Sequence, residues 1–453
     1  MTFGIPREAE SVGAGSGAAV TAVADVRPAT ASGGTAAGAE PARTPTLTTA
    51  PGTGPAGGPP VLARHAGEPH PPGTPHAQAR IDLAAIRANV GRLCEAAGPA
   101  EVMAVVKADG YGHGMVAAAR AALAGGATWI GVAGMREALA LRAAGVPGPL
   151  LAWLLTPGDD WHAAVAAGID LSAGADWAVR AAVRAAHATG RPARLHLEVE
   201  TGLGRGGACA GDWPALLDTV ARAEAAGSVH VVGVWSHLAR ADEPGHPGCG
   251  EQLAHFRSAV ARARRAGLTP EVLHLSNSAA TLTLPEARFD LVRPGLAVYG
   301  LSPVPDRAGP AELGLRPAMT LTARLASVKR VPGGHGVSYG HRYRTARETT
   351  LGLVPLGYAD GVPRHASQAG PVLVAGRRHT VAGTVCMDQF VVDLGDAPAA
   401  PGDEVVLFGP GDRGEPGAQD WARAAHTISH EIVTRIGARV PRTYTGDTPA
   451  GTS

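Results

Sequence analysis

Eight short apolar runs separated by amphipathic stretches occupy the middle of this 453-residue chain. The runs are VMAVVKA (102–108), TWIGVAG (128–134), LLAWLL (150–155), IDLSA (169–173), RLHLEVE (194–200), VVGVWSH (231–237), VLHLSN (272–277) and FDLVRPG (289–295). Between them lie segments such as GDWPALLDTVARAEAA and EQLAHFRSAVARARRAG, whose apolar residues recur at i, i+3 and i+4, the spacing of one helix face. A strand followed by a helix, eight times over about 230 residues, predicts an α/β fold, a (β/α)8 TIM barrel. In that fold the functional groups sit at the C-terminal ends of the strands.

The pattern changes after about residue 315. MTLTARLASVKRV, TTLGLVPLG, GPVLVAG, HTVAGTVCMD, QFVVDLG and DEVVLFG read as strands between Gly/Pro turns, and helical spacing returns only in WARAAHTISHEIVTRIG. The expected organisation is a low-complexity, structureless extension over 1–77, a barrel over 78–315, a C-terminal β-rich domain over 316–445 and a structureless tail over 446–453. The extension is rich in Gly, Ala, Pro and Thr and cannot bury enough surface to offset its ordering entropy. Folded structure is expected from about Ala79, where ARIDLAAIRANVGRL has helical spacing.

Charge and cysteine usage narrow the function classes. A formal net charge of +1 and 4% aromatic residues give no pull toward nucleic acid or an anionic membrane. No apolar run reaches the roughly 18 residues of a membrane helix. The N-terminus lacks a basic segment followed by an apolar one, so no secretory signal is expected. Cys94, Cys209, Cys249 and Cys386 lie far apart, which suits a reducing compartment rather than a disulfide framework or zinc site. Cytoplasmic location is the expectation. No HExxH or paired-ligand spacing points to a metal.

Of 40 basic residues only Lys107 and Lys329 are lysines. Composition explains the average, because the chain is rich in Ala, Gly and Arg. It does not explain the survivors. Lys107 ends the first apolar run, and an amine whose pKa falls in a dry site can form an imine, which a guanidinium cannot. The alternative is a strand-end lysine reaching solvent. Lys329, in SVKRVPGG, reads as a surface residue. Arg205 offers a fork for a carboxylate or is an ordinary surface arginine. His237 reads as a site residue or a satisfied core histidine. Asn277 and Ser278 read as a helix N-cap, as phosphate ligands, or as both.

The stretch VVKADGYGHG resembles the cofactor-binding motif of alanine racemases. HLEVETGLGRGG, VWSHLARADE, HLSNSAA, LVRPGLAVYG, GVSYGHRYR, TVCMDQ and ISHEIVTRIGARVPRTY follow in the order of that family, over roughly residues 79 to 445. The resemblance implies a homodimeric isomerase that interconverts L- and D-alanine with pyridoxal 5'-phosphate and supplies D-alanine for peptidoglycan. By resemblance Lys107 is the Schiff-base lysine and Tyr111 reaches the cofactor phosphate. His237 packs on the cofactor ring, and Arg293 donates to the pyridine nitrogen. Asn277, Ser278 and the backbone of Gly295 and Leu296 belong to the cofactor site. Arg205 and the backbone of Met387 meet the substrate carboxylate. Tyr339, from the partner subunit, is the second proton-transfer group across from Lys107, and Tyr358 resembles an entrance residue.

The chain departs from the family pattern in three places. Glu198 stands where many members carry a carbamylated lysine, so its carboxylate, or a bound anion, is expected to hold Arg205. Glu200 replaces an aspartate. His430 stands where a phosphate-contacting tyrosine is usual, and an imidazole can still donate to phosphate. Other readings are a serine or broad-specificity racemase, a decarboxylase or D-amino-acid aldolase of similar architecture, and a non-catalytic cofactor-binding protein. GVSYG and ARVPR argue against the decarboxylase and aldolase. Residues 316–445 argue against the non-catalytic protein, whose single barrel lacks a β domain.

Overall fold

Most barrel runs become strands that stop before the apolar segment ends, and the last residues of those runs turn out of the sheet. The computed structural model describes Gly73 and residues 75–446. The expected extension and tail lie almost wholly outside these residues. The first strand, β1, spans Ala77–Asp82. The barrel strands follow: β2 Glu101–Val105, β3 Trp129–Val132, β4 Leu150–Ala152, β5 Asp170–Ala173, β6 Ala193–Glu198, β7 Val229–Trp235, β8 Val272–His274 and β9 Leu291–Val292.

The barrel strands pair in parallel in the order β8-β7-β6-β5-β4-β3-β2-β9, with helices between most successive strands. The seam between β8 and β9 is closed by single hydrogen bonds. Asp290 N–H donates to Leu273 O (3.1 Å) and Arg293 N–H donates to Ser276 O (2.9 Å). Six strands send Met103, Trp129, Leu151, Val232, Val272 and Leu291 into one buried cluster inside the barrel. This is the layered filling that makes such a barrel a core rather than a pore. All eight expected barrel strands are present.

The expected helical start at Ala79 is corrected. ARID alternates in burial, with Ala79 and Ile81 inside, which is a strand pattern. The helix begins at Leu83, where Asp82 accepts the Ala85 N–H, and ends at Gly98 (φ 67°). Strand β1 lies in the second sheet, although its residues precede the barrel. That sheet has nine strands. In spatial order they are Ser327–Val331, Thr349–Val354, Phe390–Gly395, Arg377–Ala382, Pro371–Val374, Glu404–Phe408, Met319–Arg324, β1 and Arg442–Thr445. Both ends of the described chain thus meet in one sheet, β1 pairing parallel with Arg442–Thr445.

Two features tie this sheet to the barrel. Asn89, buried on the first helix, donates to Val298 O (3.2 Å) and Arg316 O (2.9 Å), and accepts the Arg316 N–H (2.8 Å). Arg442 Nε donates to Gly112 O (3.1 Å), behind the turn that carries Lys107. A Cβ on Gly112 would lie 2.3 Å from Val433 O, so the helix Ser429–Thr434 rests directly on that turn.

Candidate active site

Lys107 leaves the end of β2 on an unusual backbone. Ala108, Asp109, Gly110 and Tyr111 all have φ between 52° and 63°, one left-handed turn. Each non-glycine residue there costs roughly 1–2 kcal/mol. Such strain persists only where the surroundings impose it, and it clusters at functional sites. The Glu137 carboxylate accepts the Ala108 N–H (2.7 Å), and Gly110 and Gly112 donate to Val106 O (2.8 Å) and Ala108 O (3.0 Å). The turn sets Lys107 and the buried Tyr111 in the lining of a cavity of about 680 Å3, within the usual range for cofactor sites.

Ten residues singled out in the sequence line this cavity: Lys107, Tyr111, Arg205, His237, Asn277, Ser278, Arg293, Gly295, Leu296 and His430. All but His430 follow barrel strands at their C-terminal ends. Burial pushes the Lys107 ammonium below its ordinary value. Arg205 and Arg293 push the same way, and Glu137 opposes them. The ammonium lies 5.8 Å from the centre of the Trp153 ring. Lys329, in contrast, is exposed on a strand of the second sheet.

Arg293 is buried and heavily engaged. It donates to Ser236 O (2.7 Å), meets His274 Nδ1 (3.1 Å) and His237 Nδ1 (3.3 Å), and stacks 4.9 Å from the Trp235 ring centre. Burial pushes its guanidinium down to about 9, which still leaves it charged at neutral pH. His237 is held well below its ordinary value by burial and by Arg293, Arg205 and Lys107, so it is neutral there.

The part of the lining around Asn277, Ser278 and Gly295 has a different character. Asn277 caps the helix Ser278–Thr283 by accepting the Ala280 N–H (3.1 Å). Ser278 Oγ accepts from Gly295 N–H (2.8 Å) and Ala297 N–H (3.2 Å), so the serine and the glycine backbone form one polar cradle. Gly295 has to be glycine, since a Cβ would sit 2.2 Å from the Tyr111 hydroxyl. The His430 ring lies 6.1 Å from that of Tyr111. It is held below its ordinary value by burial and Lys107.

Glu198, the last residue of β6, and Glu200, just beyond it, play different parts. Burial pushes the Glu198 carboxyl up to about 7, although Arg205 and Arg293 oppose the rise. The carboxylate that grips the Arg205 loop directly is Glu200. It accepts the backbone N–H groups of Gly202, Leu203 (2.7 Å), Gly204 (2.8 Å) and Arg205 (3.1 Å). Along the chain Glu200 reads only as the replacement of an aspartate. An acidic residue two to five positions before a glycine-rich turn is the signal that was available.

Two expected site residues are not in this cavity. Tyr339 is 73% exposed and Met387 is 53% exposed, and neither lines it. Tyr339 sits on a turn between the short strands Gly336–Val337 and Tyr343–Arg344, anchored by Thr384 Oγ1 donating to its carbonyl (3.2 Å). Tyr358, also exposed, lines a separate surface groove. Sequence reasoning missed the buried His274 and His196, the latter hydrogen-bonded to the former (2.8 Å). A histidine inside each of the apolar runs RLHLEVE and VLHLSN was their mark.

Chemically, the cavity offers one amine of lowered basicity, two guanidiniums, and a cradle of hydroxyl, imidazole and backbone groups. That set fits a ligand with an electrophilic carbonyl and an anionic group. Among the described residues no three His, Cys, Asp or Glu side chains are placed to hold a metal ion, and no helix is long and apolar enough to cross a membrane.

Comparison with known proteins gives a consistent result. Residues 81–303 match the alanine racemase N-terminal domain and residues 318–444 match the alanine racemase C-terminal domain. An alanine racemase of Frankia casuarinae is 63% identical over 364 residues, 80% of this chain and 95% of that one. An alanine racemase of Streptomyces coelicolor is 61% identical over 376 residues, 82% of this chain and 96% of that one. The crystal structure of alanine racemase from D-cycloserine producing Streptomyces lavendulae superposes with a TM-score of 0.82 at 57% identity, covering 83% of this chain and 98% of that one. With its barrel, its β-rich sheet and a lysine at the strained turn after β2, this chain belongs to the alanine racemase family.

Proposed function

We propose that this protein interconverts L- and D-alanine, using pyridoxal 5'-phosphate held by Lys107, and that its D-alanine feeds peptidoglycan. The observation that carries the reading is the placement of one low-basicity amine, Lys107, in a cavity rimmed by Arg205 and Arg293. When bound, the cofactor supplies an aldehyde that links to an amine and an electron-withdrawing ring that acidifies the adjoining C–H. Tyr111, Ser278, Gly295, Leu296 and His430 would hold its phosphate, Arg293 would face its ring nitrogen, and His237 would pack on its ring. Asn277 shapes the helix start beside the phosphate cradle.

Arg205 would orient the substrate carboxylate, its loop fixed by Glu200. Lys107 would then remove or return the α-proton on one face. Inversion needs a second group on the other face, and Tyr339 of the partner subunit would be that group, with the backbone of Met387 of the partner subunit beside the carboxylate. The exposure of Tyr339 and Met387, outside their own chain's cavity, supports a homodimer with shared sites. Borohydride reduction of the yellow holoenzyme should fix the cofactor on Lys107, found by peptide mass. A label on Lys329 would overturn the assignment.

A further inference from the structure

A line of buried polar groups crosses the barrel from its far end to Arg293. Asp170 opens β5, His196 lies in the middle of β6, and His274 ends β8. All three are 0–1% exposed. Asp170 Oδ2 meets His196 Nε2 (3.2 Å), His196 Nδ1 meets His274 Nε2 (2.8 Å), and His274 Nδ1 meets Arg293 Nη1 (3.1 Å). The ends of this line dictate its middle. Arg293 can only donate, so His274 Nδ1 must carry a lone pair and its proton sits on Nε2. That proton points at His196 Nδ1, which must therefore accept. The proton of His196 then sits on Nε2 and goes to the Asp170 carboxylate, which only accepts. Both imidazoles are neutral and every contact has one donor and one acceptor.

We propose that Asp170 is a positioning residue for the reaction, which acts through His196 and His274 to hold Arg293 charged and aimed at the cavity. The inference rests on the proposed role of Arg293. The surroundings are built for this line. Gly233 leaves room for it, because a Cβ there would lie 2.5 Å from His196 Nδ1. Trp235 stacks parallel to His274, with 5.9 Å between ring centres, and Trp129 meets His196 edge-on at 5.5 Å. The charged groups facing Asp170 are Arg194, which donates to both carboxylate oxygens (2.7 and 3.3 Å), and Arg142. Arg194 supplies the remaining hydrogen bonds of the buried carboxylate; burial pushes that carboxyl up, but His196 and then Arg194 outweigh it and hold it below its ordinary value.

Asp170→Asn tests the proposal, because an amide keeps only one acceptor oxygen. Arg194 claims that oxygen, so the amide of D170N presents N–H to His196 and reverses both tautomers. His274 then turns Nδ1–H against the Arg293 N–H, and that contact breaks. In apo-protein labelled with 15N in histidine, NMR should place the protons of His196 and His274 on Nε2 in the native chain and move them to Nδ1 in D170N. In holoenzyme, kcat should fall about 10-fold or more with the KM for alanine changed much less. An Nδ1–H or doubly protonated His196 or His274 in the native chain would overturn the proposal, whether or not the variant folds. A D170N enzyme with native tautomers and native kcat would also overturn it. The tautomers are read without cofactor, so failure of the Lys107 assignment by borohydride labelling is a separate result.

Discussion

Removing one carboxylate, in Glu200→Ala, should loosen the loop that carries Arg205 and cost both stability and substrate binding. The side chain accepts four backbone N–H groups, from Gly202 to Arg205. A hydrogen bond contributes about 0.5–1.5 kcal/mol net, more when an acceptor is ionised. Gly202, Gly204 and Arg205 are exposed, so water replaces much of what is lost. The low end applies, about 0.5 kcal/mol for each of four bonds, or about 2 kcal/mol in all. That corresponds to a fall in Tm of a few degrees for a chain of this size.

The effect should depend on pH in one direction. Burial pushes the Glu200 carboxyl up, but the amides of Gly202, Arg205, Leu203 and Gly204 outweigh it and hold it below its ordinary value. A carboxyl lowered on folding stabilises above its unfolded pKa, about 4.3 for Glu, and loses that contribution as pH falls through the lower folded value. Scanning calorimetry of native and E200A protein should show a Tm gap at pH 7 that closes toward pH 3. Racemisation assays at pH 8 should show KM for alanine raised several-fold, with kcat less affected. A Tm gap that persists at pH 3, or an unchanged KM, would refute the assignment of Glu200 to the Arg205 loop.

Three further outcomes are expected. Tyr339→Phe should retain cofactor absorbance yet lose on the order of 100-fold or more in turnover, the usual share of a positioned acid–base group; full turnover in both directions excludes it from proton transfer. Mixing Lys107→Ala with Tyr339→Phe chains, refolded together, should restore about a quarter of native activity, because about half the dimers are mixed and one of their two sites is intact. Two inactive pools that stay inactive after verified subunit exchange would sink the shared site. Asn89→Ala removes three hydrogen bonds between the first helix and the segment that leaves the barrel, and should cost about 2–4 kcal/mol in denaturant unfolding. A midpoint equal to that of the native chain would show that Asn89 is not the clamp.

Much of this protein is legible along the chain because its signals are local. Strand and helix periods within ten residues marked all eight barrel strands. A lysine surviving among arginines marked Lys107, while Arg205 and Gly295 were singled out by the resemblance of their segments to the alanine racemase motifs. Short-range pattern failed where a partner is distant in sequence. ARID contains the start of a helical period, yet β1 is a strand because Met319–Arg324 and Arg442–Thr445 lie on either side of it. The sequence reading set Glu198, or a bound anion, against Arg205, and the structure keeps that charge interaction; the hold of Glu200 on the backbone of the same loop was not legible. Asp170, His196 and His274 are 26 and 78 residues apart in successive steps, and only closure of the barrel brings them into hydrogen-bond range. Periodicity and residue chemistry are properties of neighbours along the backbone, whereas the pairing of buried polar groups is settled by which strands the sheet makes adjacent.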